Sequence, residues 1–308
     1  MISPILSNIY LDKLDTFVET VLIPEYTSGV NRARNRAYLD IEVMIRRARR
    51  HGDRDTVRRL HKQLRRLPSA DPQDPGYRRL RYVRYADDHL LGFTGPKREA
   101  EQIKQRLARF LREDLKLELS QEKTLITHAR TGAARFLGYE ITVQHSDHKI
   151  TKGRRSANAA IGLRVPRAVV QAKCAPYLKR GKPAFRPQLV NRDDLAIINT
   201  YGAEYRGLTQ YYMLAGDVYR LTKVHWVMAS SLLRTLARKY RSTVTKMAAK
   251  YDAVVDTPHG PRKCFEANKE RDDGRAPLTT RFGGIPLKRQ KKAIIVDRVV
   301  PPVIIRHK

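Results

Sequence analysis

Asp87 and Asp88 stand side by side in a stretch otherwise made of arginines and apolar residues. Neighbouring residues on a regular strand point to opposite faces. At a hairpin turn that alternation breaks, and two adjacent carboxylates can approach one site. Hard cations such as Mg²⁺ take oxygen ligands, commonly one or two carboxylates together with substrate phosphates. Two such metals ~3.5–4 Å apart activate an attacking oxygen and stabilise a leaving oxygen in phosphoryl transfer. An isolated Asp-Asp pair more often just decorates a polar turn, so its surroundings decide.

Those surroundings predict a hairpin. Residues 77–94 are rich in β-formers (Leu80, Tyr82, Val83, Tyr85, Leu90, Leu91, Phe93), with a turn at Ala86-Asp87-Asp88-His89. Apolar spacing predicts a helix over 10–22 with Leu11, Leu14, Val18, Val21 and Leu22 on one face. Another is predicted over 96–115, led by Ile103, Leu107, Phe110, Leu111 and Leu115. Between them, 31–67 reads as two helices broken near Gly52. They carry Arg46, Arg47, Arg49, Arg50, Arg58, Arg59, Arg65 and Arg66 around a narrow apolar stripe. Pro68 to Gly76 reads as a loop, and strands are expected over 123–127 and 135–143. This order indicates an α+β module. After Gly153 a short helix over 166–180 and a linker around Pro183 and Pro187 are expected. From Asp193 to Tyr251 the pattern is helical, with Leu195, Ile198, Tyr201, Tyr205, Leu208, Tyr212, Leu221, Trp226, Met228, Leu232, Leu236 and Tyr240 as candidate core.

Charge points to the partner. The chain of 308 residues has 62 Lys and Arg against 31 Asp and Glu, a formal net charge of +31. Self-repulsion on this scale favours a polyanionic partner, and DNA or RNA supplies one through counterion release. No stretch approaches the ~20 apolar residues of a membrane span, and no signal peptide is evident. Cys174 and Cys264 form no C-x-x-C pair, so neither a zinc site nor a disulfide framework is expected, in keeping with a reducing cytoplasm. His259 and His307 are lone histidines, expected at the surface or in structural roles rather than as ligands.

A resemblance sharpens these readings. Arg81-Tyr82-Val83-Arg84-Tyr85-Ala86-Asp87-Asp88 resembles the active-site hairpin of group II intron reverse transcriptases, the intron-encoded maturases. Ile2 to Leu11 resembles the block before the palm helix, Ser120 to Lys123 with Thr124 the next block, and Phe136-Leu137-Gly138-Tyr139 the block that closes the palm. Tyr205-Arg206-Gly207-Leu208-Thr209-Gln210-Tyr211-Tyr212 is similar to the signature of the maturase domain, domain X, which also serves as the polymerase thumb. Lys239 to Lys246 resembles its later basic segment, and Arg281 to Leu287 the stretch leading toward a C-terminal nuclease module.

The resemblance implies an α+β fold. A partial reverse-transcriptase palm (1–150) is followed by a linker (151–190), an all-α thumb-like maturase domain (191–252) and a basic extension (253–308). It implies Asp87 and Asp88 as catalytic, Mg²⁺-binding residues. It implies nucleic-acid contacts by Tyr85, Lys123, Arg206, Tyr211, Tyr212, Arg238, Lys239, Arg241 and Lys246; because adjacent helical residues cannot share one face, at least one of Tyr211 and Tyr212 is expected in the core instead. The implied partners are group II intron RNA, a DNA target or cDNA, and an upstream split fragment or a second copy. The family's palm carries a further aspartate upstream, for which this chain has no counterpart, and the cysteine pairs of the nuclease module are absent. The expectation is a chain truncated at both ends and deficient in polymerisation by itself. A non-enzymatic RNA-binding splicing factor and an inactive fragment are the alternatives.

Overall fold

The computed structural model describes residues 3–146, 148–151, 154–155, 158–271 and 275–291; His307 and the tail from 292 lie outside them. The chain divides into two compact units, 1–162 and 163–308.

In the first unit, helix α1 (Ser3–Phe17) runs on through a π-helical turn at Val18–Leu22. The helix starts earlier than the expected 10–22, and its apolar stripe is the core. Leu11, Leu14, Val18 and Leu22 are buried with Leu80, Ile103, Leu107, Leu111 and Leu115. Ile103, Leu107 and Leu111 belong to α4 (Lys97–Glu113), and Leu115 lies two residues past its end. Helices α2 (Arg36–Arg50) and α3 (Arg54–Leu64) form the expected Arg-rich pair. The Asn35 and Asp53 side chains cap them, accepting from the Ala37 and Thr56 amides. Gly52, at φ +69°, supplies the left-handed residue that ends α2.

Strands β1 (Arg79–Tyr85) and β2 (Asp88–Thr94) form an antiparallel hairpin leading into α4. The turn is tighter than expected. It is Ala86-Asp87 alone, and Asp88 already pairs with Tyr85 in the ladder. Strands β3 (Ala134–Phe136) and β4 (Tyr139–His145) form a second hairpin, joined in one sheet with β5 (Asn158–Arg164). Leu137 and Gly138, at φ +47° and +69°, make the two-residue turn whose positive dihedrals match strand twist. No strand forms over 123–127. Leu125 and Ile126 are exposed, and the Thr124 amide closes a turn onto the Ser120 carbonyl.

In the second unit the stretch from Asp194 to Tyr251 is helical, as expected, but the segment read as a basic extension adds a sheet. Helices α5 (Arg167–Cys174), α6 (Asp194–Tyr212), α7 (Thr222–Lys239) and α8 (Val244–Tyr251) are accompanied by a three-stranded antiparallel sheet. Its strands are β6 (Asp252–Val255), β7 (Arg262–Lys269) and β8 (Leu278–Gly283). Tyr201 and Tyr205 of α6 meet the fully buried Phe282 of β8 at 6.3 and 5.5 Å between rings. Tyr201 also shares hydrogen bonds with Ser231 and Thr235 of α7 at 2.8 and 3.1 Å. Val170, Cys174, Tyr177 and Leu189, from the stretch read as helix and linker, are buried in this unit. Among the candidate core residues, Ile198, Tyr201, Tyr205, Tyr212, Leu221, Met228, Leu232 and Leu236 are buried, but Trp226 and Tyr240 are exposed. No described helix is long and apolar enough to cross a membrane.

Candidate nucleic-acid interface

The acidic pair sits at the tip of the β1–β2 hairpin. Along β1 the side chains alternate: Leu80 is buried, Tyr82 and Arg84 are half-buried, and Arg81, Val83 and Tyr85 are exposed. Directly opposed residues on an antiparallel pair share a face. Asp88 therefore lies on the outer face with Tyr85, its ladder partner, while His89 lies opposite Arg84 on the inner face. Asp87 occupies the turn, and both carboxylates are exposed. The break in alternation expected at the turn thus falls between Asp87 and Asp88 themselves. Burial holds the His89 imidazole below its ordinary pKa, against the opposing effect of the Asp87 and Asp88 groups.

The turn is braced from α1. Arg84 meets the Asp15 carboxylate at 2.5 Å, and it donates to the Ala86 carbonyl at 2.7 Å and to Asn8 Oδ1 at 3.0 Å. Tyr82 donates to the same Asp15 at 2.8 Å. The Arg84 hydrogen bond, with help from Tyr82, keeps the Asp15 carboxyl below the ordinary range despite partial burial. A cleft of about 670 Å³ opens here, lined by Asn8, Asp15, Glu19, Tyr82, Arg84 and Tyr85 among others. Asp15 and Glu19 were not singled out in the sequence. Four residues apart, Asp15 on α1 and Glu19 in the π-helical turn that continues it, they could have been found by asking which acidic residues share a helix face.

Asp87 and Asp88 could hold one cation together with substrate phosphates. Among the described residues, no group of three or more His, Cys, Asp or Glu side chains is arranged to hold a metal ion. The described residues therefore do not complete a two-metal centre.

The basic candidates divide by environment. Lys123 is exposed in the turn after α4. Helices α2 and α3 present Arg46, Arg47, Arg49, Arg50, Arg58 and Arg59 to solvent, and Arg65 and Arg66, just past the end of α3, are exposed as well. One face of α3 places Arg58, His61, Lys62 and Arg65 along a groove of about 520 Å³ with Ile150. His61 and Lys62 extend the arginine set read from sequence. Their spacing of three and four residues from Arg58 and Arg65 is the signal that was available.

In the second unit Arg206 and Tyr211 are exposed on α6, whereas Tyr212 is buried. Adjacent helical residues diverge by ~100°, so one faces out and the other packs. Arg238, Arg241 and Lys246 are exposed around the α7–α8 junction. Lys239 differs. Its ammonium meets Asp194 at 2.7 Å and donates to the Arg192 carbonyl at 2.7 Å. Asp194 also accepts from Tyr240 at 2.6 Å and from Tyr251. Burial opposes ionisation of Asp194, but these donors hold its carboxyl below the ordinary range. Lys239 and Tyr240 thus fasten α7 to the start of α6.

Residues 167–289, nearly all of the second unit's described part, match the family model described as type II intron maturase. The chain is 32% identical over 263 residues to the group II intron-encoded protein LtrA of Lactococcus lactis subsp. cremoris, covering 80% of this chain and 44% of that protein. It is 33% identical over 269 residues to the COX1/OXI3 intron 1 protein of Saccharomyces cerevisiae, covering 82% of this chain and 32% of that protein. Against the intron 2 protein of the same yeast gene, identity is 29% over 276 residues, with 84% and 32% covered. The chain spans less than half the length of each of these relatives.

Proposed function

We propose that this chain, a relative of the group II intron-encoded proteins with a type II intron maturase domain at residues 167–289, binds the RNA of a group II intron and assists its splicing. The observation that carries this reading lies in the maturase domain: from Thr222 to Tyr251 there is no Asp or Glu, while Lys223, Arg234, Arg238, Lys239, Arg241, Lys246 and Lys250 all fall there. Cationic groups that follow phosphates, with aromatic side chains for unpaired bases, are what structured RNA requires of a protein. Arg206, Tyr211, Arg238, Arg241 and Lys246 supply those types on exposed positions. Lys239 contributes by positioning α7.

Polymerisation asks for more. A transition state held between two cations needs ligands that fix both, and Asp87 and Asp88 alone leave that set incomplete. In this reading the chain by itself extends a primer poorly or not at all. A second reading, a reverse transcriptase completed by another polypeptide carrying the further carboxylate, is favoured by the β1–β2 sheet, which among the described residues has two strands and two unpaired edges. Mg²⁺ at Asp87 and Asp88 belongs to that second reading, as do DNA or cDNA partners.

Primer extension on an RNA template, with Mg²⁺ and then Mn²⁺, separates the two. The first reading expects no extension by the purified chain. Robust extension that disappears in Asp87→Ala overturns it. RNA binding is tested by a salt titration. Contact with several phosphates predicts a log affinity that falls linearly and steeply with log salt, and a flat response contradicts the reading.

A further inference from the structure

Helix α7 carries a stripe that packing does not explain. Lys223, Trp226, Ser230, Arg234 and Arg238 recur at steps of three and four and therefore share one face. Lys223, Arg234 and Arg238 are exposed, and Ser230 is half-buried. Trp226 is 61% exposed, although an apolar ring of this size is ordinarily well buried. Tyr219, in the short 3₁₀ turn just before the helix, is 64% exposed. At the far end the Arg238 guanidinium lies over the exposed Phe185 ring at 5.8 Å. Among the described residues neither Lys223 nor Arg234 is paired with a carboxylate. The helix itself contains no acidic residue. From Lys223 to Arg238 the stripe is ~22 Å long at 1.5 Å per residue.

We propose that this face of α7 is a stacking platform for single-stranded RNA, with unpaired bases on Trp226 and Tyr219 and the backbone phosphates on Lys223, Arg234 and Arg238. The proposal rests on the RNA-binding reading above and deepens it by naming the strand state and the residues that read it. The argument is one of charge and shape. A surface buried against another protein in a well-packed interface depletes lysine and keeps charge to its rim. Here one ring, Trp226, stands between Lys223 and the Arg234–Arg238 pair, with Tyr219 just before the helix and Phe185 under Arg238 at its far end; cations that track a phosphate backbone beside π-faces for bases are the pattern of single-strand binding. Duplex RNA keeps its bases stacked on one another and offers none to Trp226. The platform therefore discriminates by strand state and tolerates changes of sequence.

The chain has one tryptophan, so the platform carries its own reporter. The test titrates the full chain with a single-stranded oligouridylate and with a blunt-ended RNA duplex of equal charge, reading Trp226 fluorescence, with affinity from the anisotropy of labelled RNA. The expected result is quenching by the single strand and little change with the duplex. Trp226→Ala should weaken single-strand binding by about tenfold while leaving duplex affinity and the circular dichroism melt unchanged. Lys223→Ala with Arg234→Ala should lower the salt slope by about two. RNA binding that leaves Trp226 fluorescence and the Trp226→Ala affinity unchanged overturns the platform and leaves the RNA-binding reading standing. Absence of binding to either RNA overturns both. A Trp226→Ala variant whose defect is loss of self-association in sedimentation, with RNA affinity intact, makes the face a protein interface and also overturns the proposal.

Discussion

Arg84 ties the hairpin turn to the first helix: its guanidinium meets Asp15 at 2.5 Å while donating to the Ala86 carbonyl at 2.7 Å. Ala86 adopts φ +53°, a left-handed conformation that a residue bearing a Cβ takes at a cost of about 1–2 kcal/mol. The bond from Arg84 to its carbonyl helps hold that conformation. The position of the acidic pair therefore depends on a contact made from α1.

Asp15→Ala should loosen the hairpin without unfolding the second unit. It leaves Arg84, whose side chain is 11% exposed, with an unpaired charge, at a cost of about 1–3 kcal/mol for a partly buried group. Hydrogen exchange of the Tyr85 to His89 amides should rise, while amides of α6 and α7 keep their protection. The acid side gives the same test in the parent chain. Asp15 has a folded pKa below its unfolded value of about 3.9. Its contribution is therefore fully present above that value and is lost as pH falls through the lower, folded one. Unchanged exchange in Asp15→Ala would show that the turn is held by something else.

Gly202→Ala and Gly207→Ala, both on α6, should have opposite effects. A Cβ at Gly202 would collide with the Arg281 carbonyl oxygen, because α6 lies directly against the β8 backbone. Forcing them apart costs about 1–3 kcal/mol or more. A Cβ at Gly207 meets nothing within 4 Å, so alanine there gains roughly 1 kcal/mol of helix propensity. Thermal melts of the two variants should move down and up, respectively. A Gly202→Ala melt equal to that of the parent would contradict the helix-on-sheet packing.

His225 should make the second unit acid-sensitive. Its ring stacks on Phe282 at 5.2 Å and lies 5.1 Å from Tyr205, and burial pushes its pKa down. The unfolded state then takes up a proton near pH ~6.5, while the folded state resists until lower pH. Stability contributed by neutral His225 is present above that value and is lost as pH falls toward the folded pKa. His225→Phe should flatten the dependence of the melting temperature between pH 7 and 5. An unchanged slope would assign it to other groups.

The sequence disclosed elements wherever apolar residues keep a clean period. The stripe of Leu11, Leu14, Val18 and Leu22 and that of Ile103, Leu107 and Leu111 are the core they predicted. The hairpin was legible too, but the extent of its turn was not. Nothing local announces that Ala86 takes a positive φ, since the residue is neither Gly nor Asn. The β6–β8 sheet was missed because β7 buries the small residues Cys264 and Ala267 rather than an alternating row of large ones. Apart from Phe265, its other positions are charged or polar. Trp226 was read as core because a large apolar residue at helical spacing usually is core. Its exposure depends on which face of α7 meets α6, a fact of tertiary packing. The Lys239–Asp194 pair has no local signal in the sequence, since the partners lie 45 residues apart.

Splicing of a group II intron transcript from the locus that encodes this chain tests the central claim most directly. The rate is measured at moderate salt with no protein, with the chain, and with a variant carrying Asp87→Ala and Asp88→Ala. The chain should accelerate splicing and the double variant should do so equally, because in the proposed role the work is done by cationic and aromatic side chains of the maturase domain. No acceleration by the chain, or acceleration that disappears with the two carboxylates, would contradict it.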